Sequence, residues 1–465
     1  MVGRTLLLGI VACGAGLSAA DINGRWLEVR SANFAVISNG PERQCRQVAD
    51  RLERIRGLVA QNLPLRVEPG KPLLILAARD EATLKELVPG SWDAPERPQT
   101  AGFFMSAAEK NFMAVRLDLP SDAALGTVYH EYVHLLVQLN VPSLPLWLNE
   151  GLAEVVGQTG GPPQPNRWMP LAELFAVDRA SPHYNESSRV SLFYAQSRAL
   201  THMLLFASAR PDPGLLMLVG LLRDGVPAPE AMGQAFPDLR SLEQRLEAYG
   251  QRKWPLWSLP SGSPEKNFVV RELNPAEALA ARADFLLHSK RWTGAQALLE
   301  AALALEPNLP QAHEAMGFLF LRQDRRVDAA PCFARAVAHG SNSYLAHYWH
   351  ALLTLPAARD HAELAMVRDS LERVVQLNPG FAPGYAALAG AWIQDRQKAL
   401  DFARRAVELE PDTSDHRLGL GTILLALGRM DEALDLAERL LAASRTPQER
   451  ASAQALLDHL RQRKS

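Results

Sequence analysis

The sequence has few cysteines and almost no net charge. The first argues against a disulfide-stabilised protein and the second against a nucleic-acid-binding protein. Its 465 residues include three cysteines. Cys13 lies in the leader, and Cys45 and Cys332 fall in different predicted domains, so a disulfide framework is not expected to stabilise the fold. The formal net charge is -2 and no basic block occurs. This composition gives no reason to expect nucleic acid as a partner.

Long hydrophobic runs are also lacking beyond the first 20 residues. Residues 6–17 are mostly apolar, follow Arg4 and precede small residues at 18–20, which predicts a signal peptide over residues 1–20. The run is too short for a membrane span, which needs about 20 apolar residues. We expect export to the bacterial periplasm or beyond, without a transmembrane span. A lipobox-like sequence ending at Cys13 leaves a lipid anchor as the second alternative.

The residues with the clearest chemistry form the sequence His130-Glu131-Tyr132-Val133-His134. In a helix, residues four apart lie on one face, so both imidazoles can point at one ion. Zinc binds neutral imidazole, and its catalytic sites combine three protein ligands with a water. Glu131 lies one step around the helix, where its carboxylate could take a proton from that water.

The third ligand is expected in the following segment, Leu148-Asn149-Glu150-Gly151-Leu152-Ala153-Glu154. Glu150 is the better candidate, because Gly151 lets another backbone approach at this point. Glu154 could instead orient a ligand histidine through its second ring nitrogen, or it could be a solvated surface carboxylate. The sequence does not separate these two roles of Glu154.

These two segments resemble the gluzincin metallopeptidases, in particular the peptidase MA-like domains related to the aminopeptidase N family. The resemblance implies one Zn²⁺ per chain held by His130, His134 and Glu150, with Glu131 as general base. The spacing between His134 and Glu150 is shorter than in the aminopeptidase N family, so the MA-like domains are the closer match. A tyrosine in the family stabilises the oxyanion, and by its place that residue is Tyr194, with Tyr184 as the fallback. The alternative for Tyr194 is packing in the core.

Residues 21–120 alternate strand and helix patterns and predict an α+β lobe, followed by a helical lobe over residues 121–252 that carries the metal ligands. Two strand-like segments, 102–105 and 111–115, predict a hairpin. In gluzincins an edge strand at this place pairs with the extended substrate backbone. An ordinary strand of the sheet is the alternative.

A segment rich in Pro, Gly and Ser predicts a linker over residues 253–275. Beyond it, small residues and prolines recur with a period of about 34 and resemble the tetratricopeptide repeat. We expect about five repeats over residues 276–445, with an irregular third, and a capping helix over 446–465. Such solenoids bind a partner protein or peptide. The histidines of this half are expected to be structural or exposed.

The sequence therefore predicts an α+β zincin-like peptidase domain followed by an all-α tetratricopeptide-repeat solenoid. The expected function is a secreted zinc metallopeptidase acting on a peptide or protein substrate. The alternative is a docking or assembly protein, in which the repeats recruit a partner protein and the metal site is structural or residual.

Overall fold

A computed structural model describes residues 24–62, 71–87, 102–107, 109–119, 121–141, 144–157, 168–185, 187–251, 268–411, 413–444 and 446–464. The predicted signal peptide, with Cys13, and most of the predicted linker lie outside these residues. The chain divides into two compact units, one ending at Ser289 and the other beginning at Lys290. No helix among the described residues is both long enough and apolar enough to span a bilayer.

A six-stranded mixed sheet organises the first unit. Its strands are β1 (Trp26–Arg30), β2 (Ala35–Ser38), β3 (Leu73–Ala78), β4 (Gly102–Ser106), β5 (Asn111–Arg116) and β6 (Val269–Leu273). They lie in the order β4-β5-β3-β2-β1-β6. β2, β3 and β5 run parallel, and the other pairs are antiparallel. The predicted hairpin is confirmed as β4 and β5, and β4 forms one edge of the sheet.

Helices pack on both faces of this sheet, and the described residues of the first unit form eleven helices. They are α1 (Glu42–Asn62), α2 (Glu81–Leu87), α3 (Ser121–Asn140), α4 (Leu146–Gly157), α5 (Leu171–Ala176), α6 (Pro182–Asn185), α7 (Ser187–Phe206), α8 (Pro213–Arg223), α9 (Ala228–Ala235), α10 (Leu239–Gly250) and α11 (Pro275–His288). Successive strand residues point to opposite faces. Ile75 and Met113 therefore enter the core beside α1, α3 and α4, whereas Leu76 and Phe112 pack against α2 and α11.

The predicted end of the linker and start of the solenoid are wrong, because the last strand and helix of the first unit lie there. Residues 269–273 form β6, which pairs with β1 along the second edge of the sheet. α11, predicted to open the solenoid, lies in the first unit, because Ala278 and Phe285 pack in one cluster with Phe112. No strand pattern is visible in the sequence here, since β6 exposes most of its side chains.

The second unit is helical, as the repeat pattern predicts. It contains α12 (Trp292–Leu305), α13 (Pro310–Arg322), α14 (Arg326–Ala338), α15 (Tyr344–Thr354), α16 (His361–Leu377), α17 (Ala382–Ala391), α18 (Arg396–Leu409), α19 (Ser414–Ala426), α20 (Met430–Ala443) and α21 (Pro447–Lys464), with a short 3-10 helix at Leu355–Ala357. The irregular third repeat has this extra turn and a long second helix, α16. In α21, Leu457 and Leu460 are buried against α19 and α20.

Small residues set the distance between the helices of a repeat. A Cβ on Gly317 in α13 would lie 2.8 Å from the ring of Phe333 in α14. Phe333 is fully buried and makes an edge contact with Phe318, with the ring centroids 5.2 Å apart. The small residue therefore lets an aromatic side chain fill the space between the two helices.

Candidate metal centre

Two close helix contacts fix the geometry around the HExxH segment. A Cβ on Gly157, at the end of α4, would lie 2.7 Å from the carbonyl oxygen of Gly126 in α3. A Cβ on Gly151 would lie 2.6 Å from the carbonyl oxygen of Ser197 in α7. α4 is thus held against α3 at one end and against α7 near its middle. The expectation that Gly151 allows a close backbone approach is confirmed.

This packing brings the three predicted ligands together. The Nε2 atoms of His130 and His134 are 3.0 Å apart. The Oε2 atom of Glu150 lies 3.4 Å from the first and 3.5 Å from the second. Glu150 is 5% exposed, and its Oε2 makes no hydrogen bond to the described part of the chain. The ligand atoms of the three residues lie within 4.8 Å of one another.

The second ring nitrogens of the two histidines have acceptors of their own. His134 Nδ1 lies 2.9 Å from Asn149 Oδ1, and His130 Nδ1 lies 3.3 Å from Glu154 Oε1. An N–H on each Nδ1 satisfies these oxygens and turns the lone pair of each Nε2 toward Glu150. Three acceptor atoms then face one point. These electron-rich atoms repel one another unless a cation lies between them. Two imidazoles and one carboxylate are a set of ligands that zinc binds.

The electrostatics of the residues agree with a place for a cation. Burial alone would lower the pKa of His130, but the carboxylates of Glu150 and Glu154 outweigh it and raise that pKa to about 9. Burial alone would raise the pKa of Glu150, but His130 and His134 lower it to about 2. With no metal bound, a proton held by an imidazole supplies the positive charge that the carboxylates attract.

Two tyrosines lie near Glu150. Tyr194 was the preferred candidate in the sequence, but Tyr184 makes the contact with the carboxylate. Tyr184 of the short helix α6 donates a hydrogen bond of 3.3 Å to Glu150 Oε1. Tyr194 stacks on Tyr184, with the ring centroids 6.2 Å apart. Burial, followed by the charge of Glu150, raises the pKa of Tyr194 well above its usual range. The fallback residue is therefore the one that touches the carboxylate.

The remaining predicted residues are placed as follows. Glu154 contacts His130. Of the two roles considered for Glu154, orienting a ligand histidine is therefore favoured over a solvated surface carboxylate. Glu131 is half-buried on α3, next to the pair of histidines. Asn149 had no predicted role, although its position directly before Glu150 was the available signal. Tyr184 was predicted only as the fallback for Tyr194, and nothing in the sequence indicated its hydrogen bond to Glu150.

Comparison with known proteins identifies a tetratricopeptide repeat in the second unit. The tetratricopeptide repeat family model matches residues 393–448. Two relatives are named cellulose synthase operon protein C. The protein from Xanthomonas axonopodis pv. citri (strain 306) is 31% identical over 154 residues, which is 32% of this chain and 10% of that protein. The protein from Pseudomonas fluorescens (strain SBW25) is 31% identical over 159 residues, 32% of this chain and 12% of that protein.

Parts of this chain are also similar to solved structures. A MamA protein is 18% identical, with 36% of this chain and 91% of that chain covered and a TM-score of 0.32. A thermophilic tetratricopeptide repeat protein of Thermus thermophilus is 22% identical, with 39% and 98% covered and a TM-score of 0.30. TM-scores this low do not define a shared fold. The chain spans about a tenth of the length of its two named relatives.

These matches overturn the predicted function. The matching family model is a repeat that builds binding surfaces, and both relatives are named after a cellulose synthase operon and not as peptidases. The prediction of a zinc metallopeptidase that hydrolyses peptide bonds with Glu131 as general base is therefore wrong. Export, the metal ligands and the role of Tyr194 stay predictions. The matches named above do not include a gluzincin. They favour the predicted alternative, a repeat-based docking protein.

Proposed function

We propose that this protein is a docking or assembly protein whose solenoid binds a partner protein. The observation that carries the proposal is the match of residues 393–448 to the tetratricopeptide repeat, within a unit built of successive helix pairs. Stacked pairs present one extended surface to a partner. The name of the two relatives suggests one class of partner to examine first, a protein encoded with a cellulose synthase.

A glycine variant tests this function without touching the first unit. Gly317→Leu drives a side chain into Phe333 and should disrupt the α13–α14 pair. Partners crosslinked to the full-length chain in its native cells, and counted by mass spectrometry, should fall about tenfold, since a distorted repeat displaces its neighbours. Gly419→Ala is the matched control, because a Cβ there meets no atom within 4 Å. An unchanged set of partners for Gly317→Leu would contradict the proposal.

We also propose that His130, His134 and Glu150 hold a zinc ion. The facing Nε2 atoms and the buried carboxylate oxygen support it. When bound, the ion would join α3 to α4 as a cross-link. Purified protein should contain about one zinc per chain. His134→Ala should lose it, whereas His361→Ala, on the exposed start of α16, should keep it. Equal zinc in both variants would remove this part of the proposal.

Export remains the third part of the proposed function, on the strength of residues 1–20. Mass spectrometry of the protein from its native cells should give a mature chain that begins at Asp21. A chain that begins at Cys13 with an added lipid mass would instead establish the anchored alternative. A chain that retains residues 1–20 would contradict export by either route.

A further inference from the structure

The two oxygens of the buried Glu150 carboxylate have different surroundings. Oε2 faces the two imidazoles and makes no hydrogen bond to the described part of the chain. Oε1 accepts a hydrogen bond of 3.3 Å from the phenol of Tyr184. A phenol O–H can donate and an ionised carboxylate can only accept, so the direction of this bond is fixed. One oxygen is therefore engaged by the chain itself, and the other is left for an ion.

Aromatic packing against α7 fixes the ring of Tyr184. Phe193 meets the ring edge to face, with the centroids 5.9 Å apart, and Tyr194 stacks on it with the centroids 6.2 Å apart. Both of these neighbours belong to α7, and α7 is also the helix that Gly151 of α4 approaches closely. The same helix therefore supports Tyr184 and the segment that carries Glu150, so it sets the distance between the phenol and the carboxylate.

Polar contacts hold the short helix α6, on which Tyr184 lies. In the turn before α6, Asp178 Oδ1 accepts a hydrogen bond of 2.7 Å from the hydroxyl of Ser181. Within α6, His183 Nε2 lies 2.8 Å from Glu173 Oε1 of α5. A helix of four residues is too short to be stable alone, so contacts with its surroundings must place it. Here those contacts direct Tyr184 toward the candidate metal centre.

We propose that Tyr184 is a positioning residue for the zinc ligand Glu150. Its hydroxyl engages Oε1 and orients the carboxylate so that Oε2 alone is offered to the ion. A ligand carboxylate is commonly held by a hydrogen bond of this kind, and loss of such a partner weakens metal binding by about 10–100-fold. The inference rests on the proposed zinc site and adds a residue, from a third helix, that acts on the ion through its ligand.

The hydroxyl distinguishes this role from two others. If Tyr184 only filled space between α6 and α7, its ring would be enough and the hydroxyl would contribute nothing to metal binding. Tyr194 carries a second hydroxyl nearby, but within the described residues no hydrogen bond joins it to Glu150. A change that removes one hydroxyl and keeps its ring therefore separates the positioning role from packing.

Zinc binding by the full-length chain tests the proposal. Tyr184→Phe removes the hydroxyl and keeps the ring in contact with Phe193 and Tyr194, and Tyr194→Phe is the matched control. Zinc is added to metal-free protein in competition with a chelator, which gives the dissociation constant. We expect this constant to rise about tenfold for Tyr184→Phe and to stay near that of the original chain for Tyr194→Phe. Equal melting temperatures of the metal-free proteins would show that both variants fold.

Cobalt(II) bound in place of zinc gives a second measurement that packing alone would not change. Its visible absorption is strong when the ion has four ligands and weaker when it has more, so the spectrum reports coordination. In Tyr184→Phe the released Oε1 can also bind the ion, and the absorption should fall. Tyr194→Phe should keep the spectrum of the original chain.

The possible failures are distinguishable. The proposal is overturned if Tyr184→Phe binds zinc as tightly as the original chain with the same cobalt spectrum, or if Tyr194→Phe loses as much affinity as Tyr184→Phe. In both cases the proposed zinc site stands, provided that the original chain holds about one ion and His134→Ala loses it. An original chain that binds no zinc would instead remove the zinc site itself and this inference with it.

Discussion

Two histidines in each unit illustrate a difference in the partners that the units provide. In the first unit, His130 and His288 lie beside carboxylates, Glu150 and Asp284 among them. In the solenoid, His313 donates to the carbonyl of Pro307 and His347 to that of Ser341, each six residues earlier in the chain. His313 and His347 are one repeat period apart. The carboxylates beside His130 come from another helix, whereas the carbonyls that His313 and His347 reach are near them in the chain.

The largest expected effect comes from removing one buried positive charge, that of Lys110, from the first unit. Lys110 Nζ lies 2.9 Å from Asp284 Oδ2, with both side chains largely buried. Lys110→Met should lower the free energy of unfolding by about 3–5 kcal/mol, because the carboxylate of Asp284 stays buried without its lysine. Hydrogen exchange should show the loss in the first unit alone. The exposed Lys85→Met is the control, and an equal loss there would refute the assignment.

A comparable loss in the solenoid should stay local. Phe333→Ala removes a fully buried ring from between α13 and α14. We expect a cost of about 3–5 kcal/mol. Because repeats interact with their nearest neighbours, faster hydrogen exchange should centre on these two helices and spread outward. Uniform loss of protection over both units would show that the chain is one cooperative body and would break the comparison.

Zinc should stabilise one unit and not the other. With the free ion at about 100 times its dissociation constant, the first unit should gain about 2.7 kcal/mol. At its size this corresponds to a rise in melting temperature of about 5 °C. Calorimetry of the full chain with and without zinc measures the effect, and His134→Ala should abolish it. A shift in the solenoid transition instead would place the ion elsewhere.

The smallest expected effects are those of pH, and they have opposite signs. Burial opposes protonation of His288, but Asp284 and Glu109 raise its pKa from 6.5 to about 9. Its contribution is complete below pH 6.5 and is lost as the pH rises through about 9. Burial lowers the pKa of His347, so the solenoid loses stability as the pH falls below 6.5.

Hydrogen exchange at several pH values separates the two effects. His347→Gln should flatten the acid response of the solenoid, and His288→Gln the alkaline response of the first unit. His361→Ala, at an exposed position, should change neither. If both units weakened together at either extreme, the histidines would not be the groups responsible.

Sequence reasoning succeeded where the pattern is local. Two strand-like segments predicted the hairpin of β4 and β5, and the structure has it. It failed at β1 and β6, which were not predicted. Glu28 is buried in the middle of β1 and pairs with Arg271 of β6, so neither strand shows an apolar alternation. The pairing of β1 with β6 explains why a buried carboxylate and an arginine occur in these strands.

By itself, the sequence determined the repeats and the spacing of His130 and His134 on one helix face. These features depend on neighbours within a few turns of helix or on a fixed period. Tertiary structure alone decided that Tyr184 touches Glu150, that Asn149 and Glu154 orient the two imidazoles, and that α11 belongs to the sheet. Those contacts join separate elements, and no periodicity in a chain encodes which distant segments will meet.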